Sequence, residues 1–493
     1  MKRPSLLLIV LVGILAPLPS VARDHVLTIG GGFSPAGNQV SLERNVIFFR
    51  KLLAEKLPAA GHDLYFADGN SPQADLQFTR EGDEVPRANL LMAGLFGSEE
   101  GIGNAYRDHA LESVRGTSSP EEVEKWFRET GAGLTDGDRL ILYVTAHGGR
   151  SGQKDNKHNT KIFMWNRRSM EASKLAGLID GLPEGVSVMT VMVQCYSGGF
   201  SHLVFEENNT KKGDSQRSIC GFFSTVCDRE AAGCTPDVNE ENYDEFSSHF
   251  WAALRGKTRM GQAVASTDYD RDGRVSFEEA HAYAILTSRN IDVPVKTSDA
   301  FLRAHSKLEE KGTPGLATPW SELLGRARPV ERVVMEGLSK ELGLGGEGRG
   351  LPLKKKTETL AKELKELVAG KKAQKKTLDA VRKGIAQDIR NRWPELSNMY
   401  SPGAQRLLAA ESDSFVKSVG AHGKYQEWQK LLKEREEFEE KELVLSRSYA
   451  LHARLLRALE NVVLASNLEK IGDAEKGKRY ARLLEAEQGG FGG

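Results

Sequence analysis

The sequence predicts an α/β protein: a mostly parallel sheet flanked by helices, followed by an α-helical C-terminal region. Three observations carry this. Two short, nearly uncharged runs rich in β-branched residues, 140–144 and 186–194, have the composition of strands buried on both faces of a parallel sheet. Strand-like and helix-like periods alternate from Val26 onward, as β–α–β crossovers require. From about Pro319 the composition shifts to Lys, Glu, Leu and Ala, with Leu360, Leu364 and Leu367 at helical spacing and Leu431, Phe438 and Leu445 seven apart. A chain of 493 residues exceeds one ordinary domain, and 39% hydrophobic residues suffice for a packed core. Sixty-eight basic residues balance sixty-eight acidic ones, so the net charge gives no reason to expect a nucleic-acid partner.

Residues 1–22 have the pattern of a secretory signal: Lys2-Arg3, an apolar stretch over 6–16, and Ser20-Val21-Ala22 as a small-x-small cleavage site. The stretch is short for a membrane span and no other segment is apolar enough, so an exported chain without a stable membrane anchor is expected. A strand over 26–29 follows. Its Gly30-Gly31-Gly32 is not a dinucleotide fingerprint, because the glycines are consecutive and Pro35-Ala36-Gly37 intervenes before any helix. A helix over 41–56 places Leu42, Val46, Phe49 and Leu53 on one face, with Ser41 as its N-cap, and a strand over 64–67 comes next.

Residues 71–119 are polar, with scattered Gly and Pro, and are expected to be loop. Ser119 caps a helix from Pro120 to Phe127. The polar loop 150–160 suits a lid, with His158 expected on its surface. A helix over 201–205, a strand over 221–225 and a helix over 246–254 complete a domain expected to span 23–300. Residues 301–350 are expected to be a linker, broken at 345–350 by glycines, and 351–493 a charged helical region. Solvated helices are the plainer expectation for that region, and self- or partner association through them the sharper one.

Each uncharged run ends in a reactive side chain. The first runs into His147-Gly148-Gly149 and the second into Cys195-Tyr196-Ser197-Gly198-Gly199, with 48 residues between His147 and Cys195. Chemistry in open α/β sheets collects beyond the carboxyl ends of the strands. A thiol attacks only as thiolate, and an imidazole supplies the proton acceptor or the stabilising cation. Flanking glycines admit a substrate backbone and leave N–H groups free for an oxyanion hole.

In these two segments the chain resembles the caspase–legumain–metacaspase group of cysteine peptidases, in which a hydrophobic strand runs into His-Gly and a second into a Cys followed by small residues. The resemblance covers about residues 24–300. It implies a caspase-like fold, His147 as general base or imidazolium partner, Cys195 as nucleophile, and the N–H groups of Gly148 and Cys195 as the oxyanion hole. Relatives carry Gln, Glu or Asp two places before the cysteine, where this chain has Val193. Selectivity is therefore expected from segments 41–45 and 227–242, with Arg44 the obvious cation for an acidic substrate side chain.

Residues 268–279 form a second pattern. Asp268, Asp270 and Asp272 stand at positions 1, 3 and 5 of a calcium loop, Gly273 at 6, Arg274 at 7, Ser276 at 9 and Glu279 at 12. Hard oxygens alternate inward, glycine makes the sharp bend, and the last carboxylate closes the shell. An EF-hand-like Ca²⁺ site is expected, with helices over 261–265 and 278–288. Of the four cysteines, reserving Cys195 leaves Cys220, Cys227 and Cys234, from which one loop disulfide is expected in an oxidising compartment. The function expected is an exported cysteine endopeptidase acting on polypeptides. A transamidase of the same fold, and a non-catalytic calcium-binding interaction module, are the alternatives.

Overall fold

The computed structural model describes residues 23–491 except 81, 83, 98–100 and 472, so the expected signal segment lies outside the described residues. The opening unit is as expected: β1 (Asp24–Gly30), α1 (Val40–Lys56) and β2 (Gly61–Phe66), with β1 and β2 parallel. Gln39, not Ser41, is the N-cap of α1, and Ser41 instead accepts the Thr235 N–H through its hydroxyl (2.9 Å). The expected loop over 71–119 contains β3 (Leu76–Thr79), α2 (Arg87–Phe96) and β4 (Asn104–Arg107), with β3 and β4 an antiparallel ribbon. Strands of four residues, one reading Asn-Ala-Tyr-Arg, are too short and polar to register as a period.

α3 (Pro120–Glu129) starts where expected, the Ser119 hydroxyl accepting the Glu122 N–H. β5 (Arg139–Thr145) leads to an antiparallel set, β6 (His147–Gly149), β7 (Lys161–Met164) and β8 (Arg168–Glu171). Then come α4 (Ala172–Asp180), β9 (Ser187–Met192), β10 (Ile219–Phe223), α5 (Phe246–Arg255), α6 (Phe277–Thr287), β11 (Val295–Lys296) and α7 (Thr297–His305). The six-stranded sheet has the order β11-β10-β9-β5-β1-β2, parallel except at β11.

Both sheet faces are buried, which explains the lack of charge along the strands. Leu27, Ile29, Leu140, Leu142 and Val144 pack against Trp126, Leu175 and Phe301. The alternate residues Val26, Ile141, Tyr143, Met189 and Val191 pack against Phe49, Phe250 and Trp251.

The domain boundaries expected from composition do not coincide with breaks in packing. The expected linker carries α8 (Trp320–Arg326) and α9 (Pro329–Glu341). Beyond it, α10 (Gly350–Arg392) and α13 (Tyr425–Ile471) form a long hairpin, with α11 (Pro402–Ala410) and α12 (Ser412–Gly420) at its turn. The turn end shares a core with α2, through Leu91 and Leu95 against Leu378 and Ile385. The last part of α13 and α14 (Ala474–Glu487) return into the α/β core, where Leu464, Leu468 and Leu483 are buried.

Two buried charges explain why composition misleads. Arg454 of α13 donates to the carbonyls of Ile285 (3.0 Å) and Ser288 (2.8 Å), capping the C-terminal end of α6. Glu487 accepts from Lys296 Nζ (2.6 Å) and from the N–H (2.9 Å) and hydroxyl (2.8 Å) of Ser298, capping the N-terminus of α7. No described helix is long and apolar enough to cross a membrane.

The expected disulfide is not present: Cys195, Cys220, Cys227 and Cys234 are all free. Cys220 sits inside β10 against the Ala486 carbonyl, whereas Cys234 faces the Ala146 carbonyl.

His281 on α6 is buried between the rings of Phe222 and Phe246, and burial pushes its pKa down to about 4. The unfolded chain binds a proton there below about 6.5 and the folded chain does not. Its contribution to stability is therefore complete above that pH and is lost as pH falls towards 4. His281→Leu is expected to flatten the fall in the unfolding free energy from urea denaturation between pH 7 and pH 5, by at most about 1.4 kcal/mol per pH unit. An unchanged slope would contradict the assignment.

Candidate active site

β1 neighbours β2 on one side and β5 on the other, so strand order reverses there and a crevice opens beyond the carboxyl ends of β1 and β5. The loop leaving β1 shapes that crevice. Gly31 has φ +87°, and a Cβ on Gly32 would lie 1.9 Å from the Gly37 carbonyl oxygen. The Gly32 N–H donates to Asn38 Oδ1 (2.9 Å), closing the loop so that Gly37 and Gln39 face the end of β5. His147 Nε2 lies 2.9 Å from both the Gly37 carbonyl oxygen and Gln39 Oε1. A backbone carbonyl only accepts, so Nε2 carries the proton and Nδ1 is the basic nitrogen. Phe33 packs edge-on against the ring at 5.3 Å, and burial lowers the His147 pKa against the opposing pull of the Gly37 carbonyl.

Cys195 arrives on the neighbouring strand. Val144 of β5 pairs with Met192 of β9, and His147 and Cys195 each stand three residues beyond that pair. The two segments touch after the strands end: a Cβ on Gly148 would lie 2.0 Å from the Cys195 carbonyl oxygen. Tyr196 is left-handed (φ 61°), turning the chain sharply from β9 into a 3₁₀ run over Ser197–Val204. This run replaces the helix expected over 201–205. The Tyr196 N–H donates to the Arg229 carbonyl (2.8 Å), and the Thr160 hydroxyl donates to the Tyr196 carbonyl (3.0 Å). Gly148 stands opposite Ile162 in the β6–β7 ladder.

The thiol is covered. The Ala231 N–H points at Cys195 Sγ (3.3 Å), and the thiol faces the Ala231 carbonyl at 3.8 Å. Burial pushes its pKa up to about 11, with the Ala231 N–H opposing and the carboxylates of Glu230 and Asp292 adding to the rise. In this arrangement the thiol is therefore held protonated near neutral pH. His147 and Cys195 are carried to neighbouring strand ends, but each is hydrogen-bonded to a loop and not to the other.

Segments 41–45 and 227–242, expected to shape selectivity, are joined through Ser41 and Thr235. Arg44 on α1 is paired with Glu240 (3.7 Å). A second cation, not recognised from the sequence, is more deeply placed: Arg259 donates to Asn45 (2.7 Å), Glu245 (2.8 Å) and Ser248 (2.8 Å). Arg259 lies in an irregular, polar stretch with no period to mark it as buried. His158, expected on the surface, is half-buried and stacked on His202, its segment held down by Asn208 donating to the His158 carbonyl (2.9 Å).

In the acidic loop, carboxylate oxygens of Asp268, Asp270 and Glu279 lie within 4.8 Å of one another, a donor set suited to a hard cation. Asp272 instead pairs with Arg274 (3.1 Å), and Ser276 forms a capping box with Glu279 at the start of α6. One helix flanks the loop. The helix expected over 261–265 is absent, since Lys257 and Ala263 form a β-bridge and the chain stays irregular to α6.

No known protein family matches the chain, and no curated protein matches it. Among solved structures, a protein from Geobacter sulfurreducens, described only as a structural-genomics target, shares 9% identity over 56% of this chain and 92% of its own, at a TM-score of 0.31. So distant a likeness bears on neither fold nor function.

Proposed function

We propose that the chain is an exported cysteine endopeptidase, similar in chemistry to the caspase–legumain–metacaspase group, held latent by segment 227–237. The observation that carries this is the matched delivery of two complementary groups. A neutral imidazole with its Nε2 proton fixed and a thiol stand at the same depth beyond adjacent parallel strands, beside the point where strand order reverses. Once Ala231 withdraws, Cys195 Sγ would lose its proton to His147 and attack the scissile carbonyl. The tetrahedral oxyanion would meet the N–H groups of Cys195 and Gly148, the amine would leave with a proton from His147, and water would hydrolyse the thioester. Labelling by a peptidyl acyloxymethyl ketone tests this. Modification of Cys195, faster once segment 227–237 is cut, is the expected result. Failure to label in either form would favour a non-catalytic calcium-binding module, the reading to which a covered thiol lends itself.

Calcium is proposed as a structural ion held by Asp268, Asp270 and Glu279. Millimolar calcium is expected to raise the melting temperature by binding the native state only. Asp270→Asn should abolish that shift while leaving the α6 capping box intact, which Glu279→Ala would not. No melting shift in the wild-type chain would end the proposal.

A further inference from the structure

A cavity of about 800 Å³ lies between the α/β core and α13, lined in part by Gly198 and Cys227. His158 and His202 form one wall, stacked with ring centroids 3.6 Å apart and planes at 15°. Val226, Val295 and Leu456 give it an apolar side. Six charged side chains line it, and most are accounted for. Arg303 donates to Glu460 (2.8 Å) and Asn461 (2.6 Å), and Asp299 accepts from Asn461 (2.7 Å). Lys157 and Asp228 stand exposed at the rim.

Arg457 is the exception. Its Nε is sealed from solvent without a partner, and its guanidinium makes no hydrogen bond or ion pair among the described residues. Burial, reinforced by neighbouring Arg303, lowers its pKa to about 10. Arg457 is half-buried, with its Nε sealed and unpaired, which is costly, whereas a planar fork of donors facing a cavity suits a carboxylate or phosphate. The nearby carboxylates of Asp299 and Glu460 already serve Asn461 and Arg303. The guanidinium thus has no hydrogen-bonded counter-anion among the described residues. The volume exceeds that of a bare inorganic ion, and the apolar side and imidazole faces fit an organic body.

We infer that this cavity binds a small organic oxyanion, with Arg457 taking the anionic head and the His158–His202 stack lying along the body.

The test is calorimetric titration of the full-length protein with phenyl phosphate and, separately, benzoate, in chloride buffer of matched ionic strength. The wild-type chain should bind at least one of the two, and the pair separates a phosphoryl head from a carboxylate. Arg457→Met should weaken binding about tenfold or more, with Arg457→Lys intermediate because it keeps the charge and loses the fork. Without ligand, Arg457→Met should melt no lower than the wild type, since it removes a half-buried charge that has no hydrogen-bonded partner among the described residues. No binding of either probe, or equal affinity in the wild type and Arg457→Met, would overturn the inference. Should the variants fail to fold, crystals of the wild-type protein in selenate decide: an anomalous peak beside Arg457 supports the site, and its absence there overturns it.

Discussion

Replacing Glu487 with alanine is expected to destabilise the protein by about 3–5 kcal/mol, because it leaves a buried lysine without one of its two counter-charges. Lys296 Nζ contacts Glu487 (2.6 Å) and Glu278 (2.7 Å), and Glu278 in turn accepts from Arg328 Nη1 (2.7 Å). Burial would raise the Glu278 pKa, but Lys296 and Arg328 outweigh it and hold the carboxyl at about 2. Losing Glu487 also exposes the first turn of α7 to an unmet N–H at Ser298. Glu487→Gln, which keeps an acceptor there, should cost less. Urea denaturation measures both, and a change below about 1 kcal/mol for Glu487→Ala would mean that α14 is an accessory. By the same packing, a chain ending near Arg328 should fail to fold, in place of the autonomous fragment that the compositional break suggests.

The second large effect is on chemistry. Cys195→Ala should abolish peptide cleavage by the chain cut within 227–237 while changing stability little, since only the sulfur is removed and the methyl remains. His147→Ala should lower turnover by about 10²–10⁴. Gln39→Ala, which leaves the Gly37 carbonyl as the remaining partner of Nε2, should have a smaller effect.

What the sequence made legible follows from burial. The strands carrying His147 and Cys195 are covered on both faces, so their uncharged runs announce both the parallel sheet and the residues at its edge. The acidic loop 268–279 is legible as a spacing of oxygens, of which the carboxylates of Asp268, Asp270 and Glu279 converge while Asp272 pairs with Arg274. The loop that orients His147 was visible as three glycines whose purpose lay in a contact with Gly37, which no local period encodes. The return of α14 was hidden because Glu487 and Arg454 look like surface residues until their partners, more than 150 positions away, are known. Ala231 over the thiol is likewise a tertiary contact, and burial under such contacts pushes the Cys195 pKa up even though the Ala231 N–H itself opposes the rise.

The most direct measurement is the rate of alkylation of Cys195 by iodoacetamide against pH, in three proteins. One is the intact chain, one carries a site for an exogenous peptidase at Ala231-Ala232 and is cut after purification, and one is the same cut chain with His147→Ala. A covered nucleophile–base pair predicts slow alkylation of the intact chain, titrating well above the ordinary thiol range. The cut chain should react faster, with an apparent pKa near neutral, and His147→Ala should abolish that gain. Identical profiles in the two cut chains, each with an ordinary thiol pKa, would contradict the pairing of His147 with Cys195.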